Sequence, residues 1–142
     1  MIRKRAETRA LTMNPATRLH YVEVAEPDMH DPSGDFERLA AALEAQWGVT
    51  GLTADLSMLA ALQGVLRKGN WRVTAAVYRD HTGAAPRLLH LFPGLHEDGL
   101  YGLAIDLGST TIAAHLTDLD TGAVVASSGI MIHKMVKLNV SF

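Results

Sequence analysis

The spacing of apolar and polar residues predicts one strand and two helices in the first half of the chain. Arg18 to Val24 follows the two-residue period of a strand. After a loop rich in Pro, Asp and Gly, from Glu26 to Asp35, apolar residues recur at helical spacing along two segments. The two apolar stripes, both expected in the core, are Phe36, Leu39, Ala40, Leu43 and Trp47, and then Leu56, Leu59, Leu62 and Leu66.

The ends of both predicted helices carry residues that favour capping or termination. Ser33 or Asp35 is expected to supply the side-chain oxygen that accepts the first free N–H groups of the first helix. Gly48 is expected to end that helix. The second helix is predicted to begin after Thr53 and to stop at Gly69, which follows a lysine.

Two strands are predicted next, before a change of pattern. Trp71 to Tyr78 and Arg87 to Phe92 are rich in β-branched, aromatic and leucine residues, and the turn from Arg79 to Gly83 joins them as a hairpin. The two helices are expected to pack against a small antiparallel sheet. Pro93 to Gly99 is punctuated by Pro and Gly, and it is the predicted domain boundary.

Beyond that boundary, three short strands are predicted to form a β-meander. An apolar run from Leu103 to Ile105 ends on Asp106, and a second alternating run covers Thr111 to Thr117. The turn from Asp118 to Gly122 leads to a third run, Ala123 to Ala126. The predicted fold class is therefore α+β: a small domain in the order strand-helix-helix-strand-strand, followed by a meander.

Composition and charge narrow the classes of function. Charged residues are 20% of the 142 residues and the net charge is -2, so no strong field is available to attract nucleic acid or an acidic membrane. The short basic cluster Arg3, Lys4, Arg5 and Arg9 is interpreted as a solvated end. There is no cysteine for an iron–sulfur cluster or a zinc-thiolate site. With no long apolar run and no signal-peptide pattern, a cytoplasmic protein is predicted.

The turn after Asp106 has the residue types of a phosphate-binding loop. A phosphate group needs several converging N–H donors, which a tight turn of small residues such as Gly108, Ser109 and Thr110 can supply. The hydroxyls of Ser109, Thr110 and Thr111 add donors, and Asp106 offers a hard oxygen ligand for Mg²⁺. The alternative is an ordinary hairpin in which Asp106 or Ser109 bonds local backbone N–H groups.

Other polar clusters give weaker indications. The seven histidines include no pair at the spacing of a helical metal site. Asp28, His30 and Asp31 form one dense group of donors, for which a solvated, helix-capping loop is favoured over a metal site. Asp118 and Asp120 are interpreted as turn residues.

The stretch AIDLGSTTIAAHLTDLDTG resembles the first phosphate motif of the actin, sugar-kinase and Hsp70 ATPase superfamily (ASKHA). In that superfamily, a strand ending in Asp is followed by Gly and by Ser or Thr residues, and then by a second strand paired with a third. The resemblance implies that Asp106 associates with Mg²⁺, and that Gly108, Ser109, Thr110 and Thr111 hold a phosphate of ATP.

The rest of the chain extends this resemblance. RKRAETRALTMNPATRLHYVEVAEPDMHDPSGDFERL, NWRVTAAV and LFPGLHEDGLYGLAIDLGSTTIA are similar to the reductive activators of corrinoid proteins (RACo), over about residues 3 to 129. The resemblance implies a protein that uses ATP to drive uphill electron transfer from a 2Fe-2S cluster to a Co(II) corrinoid. The product is the Co(I) corrinoid, which a methyltransferase requires. A corrinoid protein is the implied partner.

The same resemblance implies a division of the chain. Residues 1–15 correspond to the end of a linker, 16–92 to a middle domain, 93–99 to a second linker, 100–129 to the first meander of the ASKHA domain, and 130–142 to an atypical tail. The cysteine-rich ferredoxin domain, the second phosphate motif and the adenosine motif of the family are not found in this sequence. Independent ATP hydrolysis by this chain is therefore not expected.

Two alternatives stay open on sequence. The chain is a non-catalytic interaction or dimerisation module, in which the middle domain contacts a partner and the meander is only structural, or it is part of another ASKHA kinase. An exposed edge of the meander is expected to be a site of strand pairing, and a homodimer is one possible result. The tail from Ile132 departs from the family's Asn-Pro-Gln, which a one-base frameshift converts to the observed Ile-His-Lys. A genuine short terminus is the other interpretation, because Val136, Leu138, Val140 and Phe142 alternate with polar residues.

Overall fold

The fold is known from a computed structural model that describes residues 12–131. The basic cluster at residues 3–9 and the tail from residue 132 lie outside the described residues. Contacts divide the chain into two compact units, one formed by residues 14–98 and one that includes residues 99–131. The elements in chain order are β1 (Thr17–Glu23), α1 (Asp35–Trp47), β2 (Thr53–Ala54), α2 (Leu56–Lys68), β3 (Arg72–Tyr78), β4 (Arg87–Pro93), β5 (Tyr101–Leu107), β6 (Thr111–Asp118) and β7 (Val124–Met131).

The first unit is a four-stranded sheet in the order β1-β3-β4-β2, with both helices packed on it. Strands β1, β3 and β4 are antiparallel, whereas β2 runs parallel to β4. The two-residue strand β2 was not predicted, because it is too short to show a period. Thr53 fixes it by donating to the carbonyl of Pro86 from its N–H at 2.8 Å and its hydroxyl at 3.0 Å. The core enclosed by helices and sheet contains Val22, Val24, Leu39, Ala42, Leu43, Val49, Leu52, Leu62, Leu66, Val73, Ala75, Val77, Leu88 and Leu91.

The start of α1 differs from the prediction, whereas its end agrees. Gly34 is the N-cap, and its N–H donates to the Glu37 carboxylate at 2.9 Å. Ser33 is engaged with Asp31 instead, and Asp35 is already inside the helix, so the predicted capping by either residue was wrong. Gly48 ends the helix in the left-handed region at φ 65°, where a side chain would be strained.

Three predicted core residues lie at the surface. Leu56 is 81% exposed, Leu59 is 39% exposed and Trp47 is 51% exposed, so their assignment to the core was wrong. In α2 the buried residues are Leu62 and Leu66, with Met58 and Val65 packed beside them. These four positions form the face toward the sheet, and Leu56 begins the helix on its far side. Trp47 is the last residue of α1, and its indole N–H donates to the Tyr21 carbonyl at 2.8 Å.

A buried arginine organises the loop between β1 and α1. Arg38 is 5% exposed, and its guanidinium donates to the carbonyls of Glu26 at 3.1 Å, Asp31 at 2.7 Å and Ser33 at 3.1 Å. It also forms an ion pair with the Asp31 carboxylate at 2.8 Å. Hydrogen bonds from Ser33, together with the charge of Arg38, hold the pKa of Asp31 below its usual value. The loop is thus fixed by one side chain from the helix that follows it.

His20 lies between the sheet and the end of α1 in an environment that disfavours its protonation. Its ring meets the ring of Trp47 edge-on at 5.0 Å, and its Nδ1 is buried without a hydrogen-bond partner among the described residues. Burial, and then the positive charges of Arg79 and Arg18, lower the pKa of His20 from its ordinary value of 6.5. The folded first unit therefore binds a proton at His20 less readily than the unfolded chain does.

This lowered pKa predicts an acid-sensitive contribution to stability. The contribution of neutral His20 is complete above pH 6.5, and it is lost as the pH falls from that value through the folded-state pKa. His20→Gln is expected to reduce the loss of stability between pH 7.5 and pH 5.5, measured by urea unfolding followed by tryptophan fluorescence. His81→Gln, in an exposed turn, is the matched control for removing a histidine and should change the free energy of unfolding at pH 7.5 by less than about 0.5 kcal/mol. Equal pH dependence in wild type and His20→Gln would contradict the assignment.

The second unit is a three-stranded antiparallel meander in the order β5-β6-β7. Leu107 pairs with Ile112 next to the first turn, and Thr117 pairs with Val124 next to the second. With two helices and two sheets, the second of which is the meander, the described chain confirms the predicted α+β fold class.

Candidate phosphate-binding turn

The turn between β5 and β6 is a two-residue hairpin loop. The N–H of Gly108 donates to the carbonyl of Thr111 at 2.9 Å, so Ser109 and Thr110 form the loop itself. Neither loop residue has a positive φ, so the loop differs from the Asn-Gly hairpin turns that require one. Ser109, Thr110 and Thr111 are all exposed. The loop therefore presents its backbone and its hydroxyls at one end of the meander.

Gly108 is required at its position by a close approach of the backbone. A Cβ atom built on Gly108 would lie 2.8 Å from the carbonyl oxygen of Thr111, closer than real Cβ contacts allow. The opposing atom belongs to the backbone and cannot rotate away. Any other residue at position 108 would therefore open the hairpin that places Ser109 and Thr110.

Ser109 and Thr110 keep their hydrogen-bond donors unused in the part of the chain that the structure describes. Among residues 12–131, the backbone N–H groups of Ser109 and Thr110 have no hydrogen-bond acceptor, and neither do their hydroxyls. Asp106 and Ser109 likewise lack the local side-chain bonds to backbone that an ordinary Asx or ST turn would show. The described geometry thus leaves the hydroxyls and the amide groups free to bind a ligand.

The carboxylate and one hydroxyl stand on the same side of the sheet. Asp106 pairs with Ala113 across β5 and β6, and Thr111 lies two residues before Ala113 on the same face. Asp106 is exposed, and no basic residue forms an ion pair with it within the described part of the chain. A carboxylate beside a phosphate-sized group of N–H donors needs a cation between the two negative charges. Asp106 and the turn are therefore the residues that could hold a phosphate together with Mg²⁺.

One polar contact on the sheet face that carries Asp106 was missed by sequence reasoning. His115 Nδ1 lies 2.9 Å from the Ser127 hydroxyl across β6 and β7. The alternation of the two strands could have placed both side chains on one face, but the pairing register needed to match them was unknown. The contact lies farther along the sheet from the loop than Thr111 does.

The second turn of the meander is held by its own side chains. Asp118 accepts hydrogen bonds from the N–H of Asp120 at 2.8 Å and of Thr121 at 3.1 Å. Gly122 closes the turn at φ 76° and donates to the Asp118 carbonyl at 2.8 Å. Unlike Asp106, the carboxylate of Asp118 is committed to the turn.

The donor cluster at Asp28, His30 and Asp31 is part of the loop that Arg38 holds. Asp28 accepts from the His30 N–H, and Asp31 accepts from Ser33 and Arg38. No group of three or more His, Asp or Glu side chains suited to a metal ion occurs between residues 12 and 131. The carboxylates of Asp28 and Asp31 are thus used for loop structure.

Comparisons with known proteins identify the family. A protein family described as the RACo linker region matches residues 6–98, which is well over half of the chain. The chain belongs to this family. The resemblance found in the sequence is thereby confirmed.

A solved structure extends the similarity. The chain described as "Reductive activator for corrinoid,iron-sulfur protein" is 30% identical, with a TM-score of 0.68, and the match covers 87% of this chain. Residues 1–98 make up less than three quarters of the chain, so the match extends into the meander. The chain spans only 19% of the length of that solved protein. No curated protein matches the chain.

Neither helix in the described residues is long and apolar enough to cross a membrane.

Proposed function

We propose that this chain belongs to an ATP-dependent activator of a corrinoid protein, in which the meander supplies one wall of the Mg-ATP site. The observation that carries the proposal is the similarity to a solved reductive activator over 87% of the chain, because it joins the family unit and the meander in one match. The family role would be ATP-driven electron transfer from a 2Fe-2S cluster to a Co(II) corrinoid. No cysteine is available in this chain, so such a cluster would reside elsewhere.

The roles assigned to residues follow from their donors. Gly108 to Thr111 would hold a phosphate of ATP. Ser109 and Thr110 would donate free N–H groups, the three hydroxyls would add donors, and Gly108, whose N–H is bonded to the Thr111 carbonyl, would keep the turn tight. Asp106 would associate with Mg²⁺, directly or through its water shell. Bound Mg²⁺ would neutralise phosphate charge. The residues of this chain would orient the phosphate rather than perform chemistry on it.

The proposal assigns a different role to each part of the chain. Residues 16–92 would act as a middle domain between linkers at 1–15 and 93–99, and residues 100–129 as the first meander of an ASKHA domain. The family description assigns residues 6–98 to a linker region, which is consistent with a connecting role for the first unit. A cytoplasmic location would suit a partner that is reduced to Co(I).

Nucleotide binding is tested most directly by NMR on the full chain labelled with ¹⁵N. Saturating Mg-ATP is expected to shift the amide signals of Gly108, Ser109 and Thr110 with a dissociation constant of about 1 mM, because one wall of a site makes few contacts. Asp106→Asn is expected to weaken the Mg²⁺-dependent part of binding about tenfold, the effect of losing one charged contact of about 1.4 kcal/mol.

Asp120→Asn is the matched control, since Asp120 is an exposed aspartate in the opposite turn of the same meander. It should leave binding unchanged. Shifts confined to other residues, or an Asp106→Asn variant that binds as the wild type does, would refute the assignment of the turn. Binding of the partner is tested separately, by calorimetry with a purified corrinoid iron–sulfur protein. A failure of nucleotide binding and a failure of partner binding can then be told apart.

A further inference from the structure

Strand β1 lies at one edge of the four-stranded sheet, and part of its backbone points away from that sheet. Toward β3, the Ala16 carbonyl accepts from the Arg79 N–H at 2.7 Å, and the Val24 N–H donates to the Trp71 carbonyl at 2.8 Å. Because antiparallel pairing alternates, the backbone groups of the intervening residues point outward. The outward-facing residues are Thr17, Leu19, Tyr21 and Glu23. An open row of N–H and C=O groups is a template on which another strand can pair.

Two side chains from the end of α1 occupy part of this edge. The Gln46 amide donates from Nε2 to the Glu23 carbonyl at 2.7 Å, and its Oε1 accepts from the Glu23 N–H at 3.2 Å. The Trp47 indole N–H donates to the Tyr21 carbonyl at 2.8 Å. Gln46 and Trp47 are here named the edge cap. Of the outward groups of Tyr21 and Glu23, only the Tyr21 N–H is left without a bond to the cap.

The Gln46 side chain bonds the strand as a neighbouring strand would. A carboxamide carries the same C=O and N–H groups as a peptide bond. By bonding both the N–H and the carbonyl of Glu23, it makes the pair of hydrogen bonds that a facing residue of an added strand would make. A strand that approached β1 would have to break both bonds before it could pair at Glu23.

Hydrogen bonding, more than burial, holds the cap on the strand. The Gly48 N–H donates to the Glu44 carbonyl at 2.9 Å and closes the last turn of α1, which contains both cap residues. Gln46 is exposed and Trp47 is half-exposed, with its ring edge-on to the His20 ring at 5.0 Å. The partly open indole therefore adds volume beside the strand as well as a hydrogen bond.

The part of the edge that the cap leaves open is short. Among the described residues, the outward backbone groups of Thr17 and Leu19 have no hydrogen-bond partner. Both belong to the first three residues of a seven-residue strand. Strands in globular proteins are usually about five or six residues long, so a neighbour confined to this part would form fewer bonds than a typical strand pair.

From this geometry we infer that the edge cap closes β1 to strand addition. Strand β1 has the length to accept a further strand, and the cap prevents this by bonding the backbone groups that the strand would need. The cap is thus a device of the fold that ends the sheet of the first unit at β1. The inference does not rest on the proposed function, since neither cap residue belongs to the phosphate-binding turn.

Sedimentation velocity of the full chain over a range of concentrations tests this role. Gln46→Ala combined with Trp47→Phe removes the hydrogen bonds of the cap and is expected to strengthen self-association at least about tenfold relative to the wild type, because the whole edge is then open. Gln63→Ala changes an exposed glutamine of α2 and should sediment as the wild type does. Trp71 remains to confirm by fluorescence that the double variant is folded. A folded double variant that sediments as the wild type at every concentration would overturn the inference.

Amide hydrogen exchange followed by NMR locates the effect, and it needs only Gln46→Ala if the double variant fails to fold. In dilute Gln46→Ala, the Glu23 amide is expected to exchange at least about tenfold faster than in the wild type, because it has lost its acceptor. At high concentration the Leu19 and Tyr21 amides should become protected by strand pairing. A Glu23 amide that exchanges at the wild-type rate, or self-association that leaves Leu19 and Tyr21 unprotected, would refute the role of the cap.

Discussion

Leu66→Ala is expected to lower the free energy of unfolding of the first unit by about 3 kcal/mol, the cost of removing a large buried aliphatic side chain from a close-packed core. Leu66 is 0% exposed on the face of α2 that packs on the sheet. Both tryptophans of the chain, Trp47 and Trp71, belong to this unit. Urea unfolding followed by tryptophan fluorescence therefore measures this unit and not the meander.

A matched control lies in the same helix. Leu56→Ala makes the same chemical change at a position that is 81% exposed, and it should alter the free energy of unfolding by less than about 0.5 kcal/mol. Similar destabilisation by the two variants would mean that α2 does not use the face that the structure assigns to the core.

Arg38→Met should destabilise the first unit by at least about 3 kcal/mol, because loop carbonyls would lose charged hydrogen bonds that typically contribute about 1.5–3 kcal/mol each. Methionine keeps most of the buried aliphatic volume, so the effect isolates the guanidinium. Three carbonyl groups, from Glu26, Asp31 and Ser33, lose a donor at once. The loop is also expected to become sensitive to proteases, which mass spectrometry of the fragments would locate.

Arg67→Met separates this effect from a general effect of charge removal. The Arg67 side chain is 53% exposed, and its ion pair with Asp35 is long, at 3.8 Å. Exposed pairs of this kind contribute about 0–1 kcal/mol, so little change is expected. If Arg38→Met were as mild as Arg67→Met, the loop between β1 and α1 would not depend on Arg38.

The sequence predicts the type and order of the long elements because each carries a strong period. It fails where the outcome depends on tertiary neighbours. Trp47 lies on the apolar stripe of α1, but it is the last residue of the helix. Its indole therefore lies beside β1, half exposed, and donates a hydrogen bond to the Tyr21 carbonyl. Leu56 shows the same limit, since a helical period does not reveal which side of a broad stripe meets the sheet.

The candidate site was predicted as residue types rather than as geometry. The order of Asp106, Gly108 and the hydroxyl residues predicts a turn that binds phosphate and Mg²⁺, and this stays a prediction. The need for glycine at position 108 depends on its distance from the Thr111 carbonyl, which only the pairing register reveals. The polar role of Arg38 was missed altogether, because a lone arginine in an amphipathic helix is ordinarily solvated.

The different strand orders of the two units imply different routes of folding. In the meander each strand pairs with its neighbour in sequence, across turns of a few residues. In the first unit β1 must find β3 across both helices, so that residue 17 meets residue 78. Local pairing is kinetically fast and long-range pairing is slow. The strands that carry the candidate phosphate-binding turn are therefore expected to form early during folding, before the helical unit has closed its sheet.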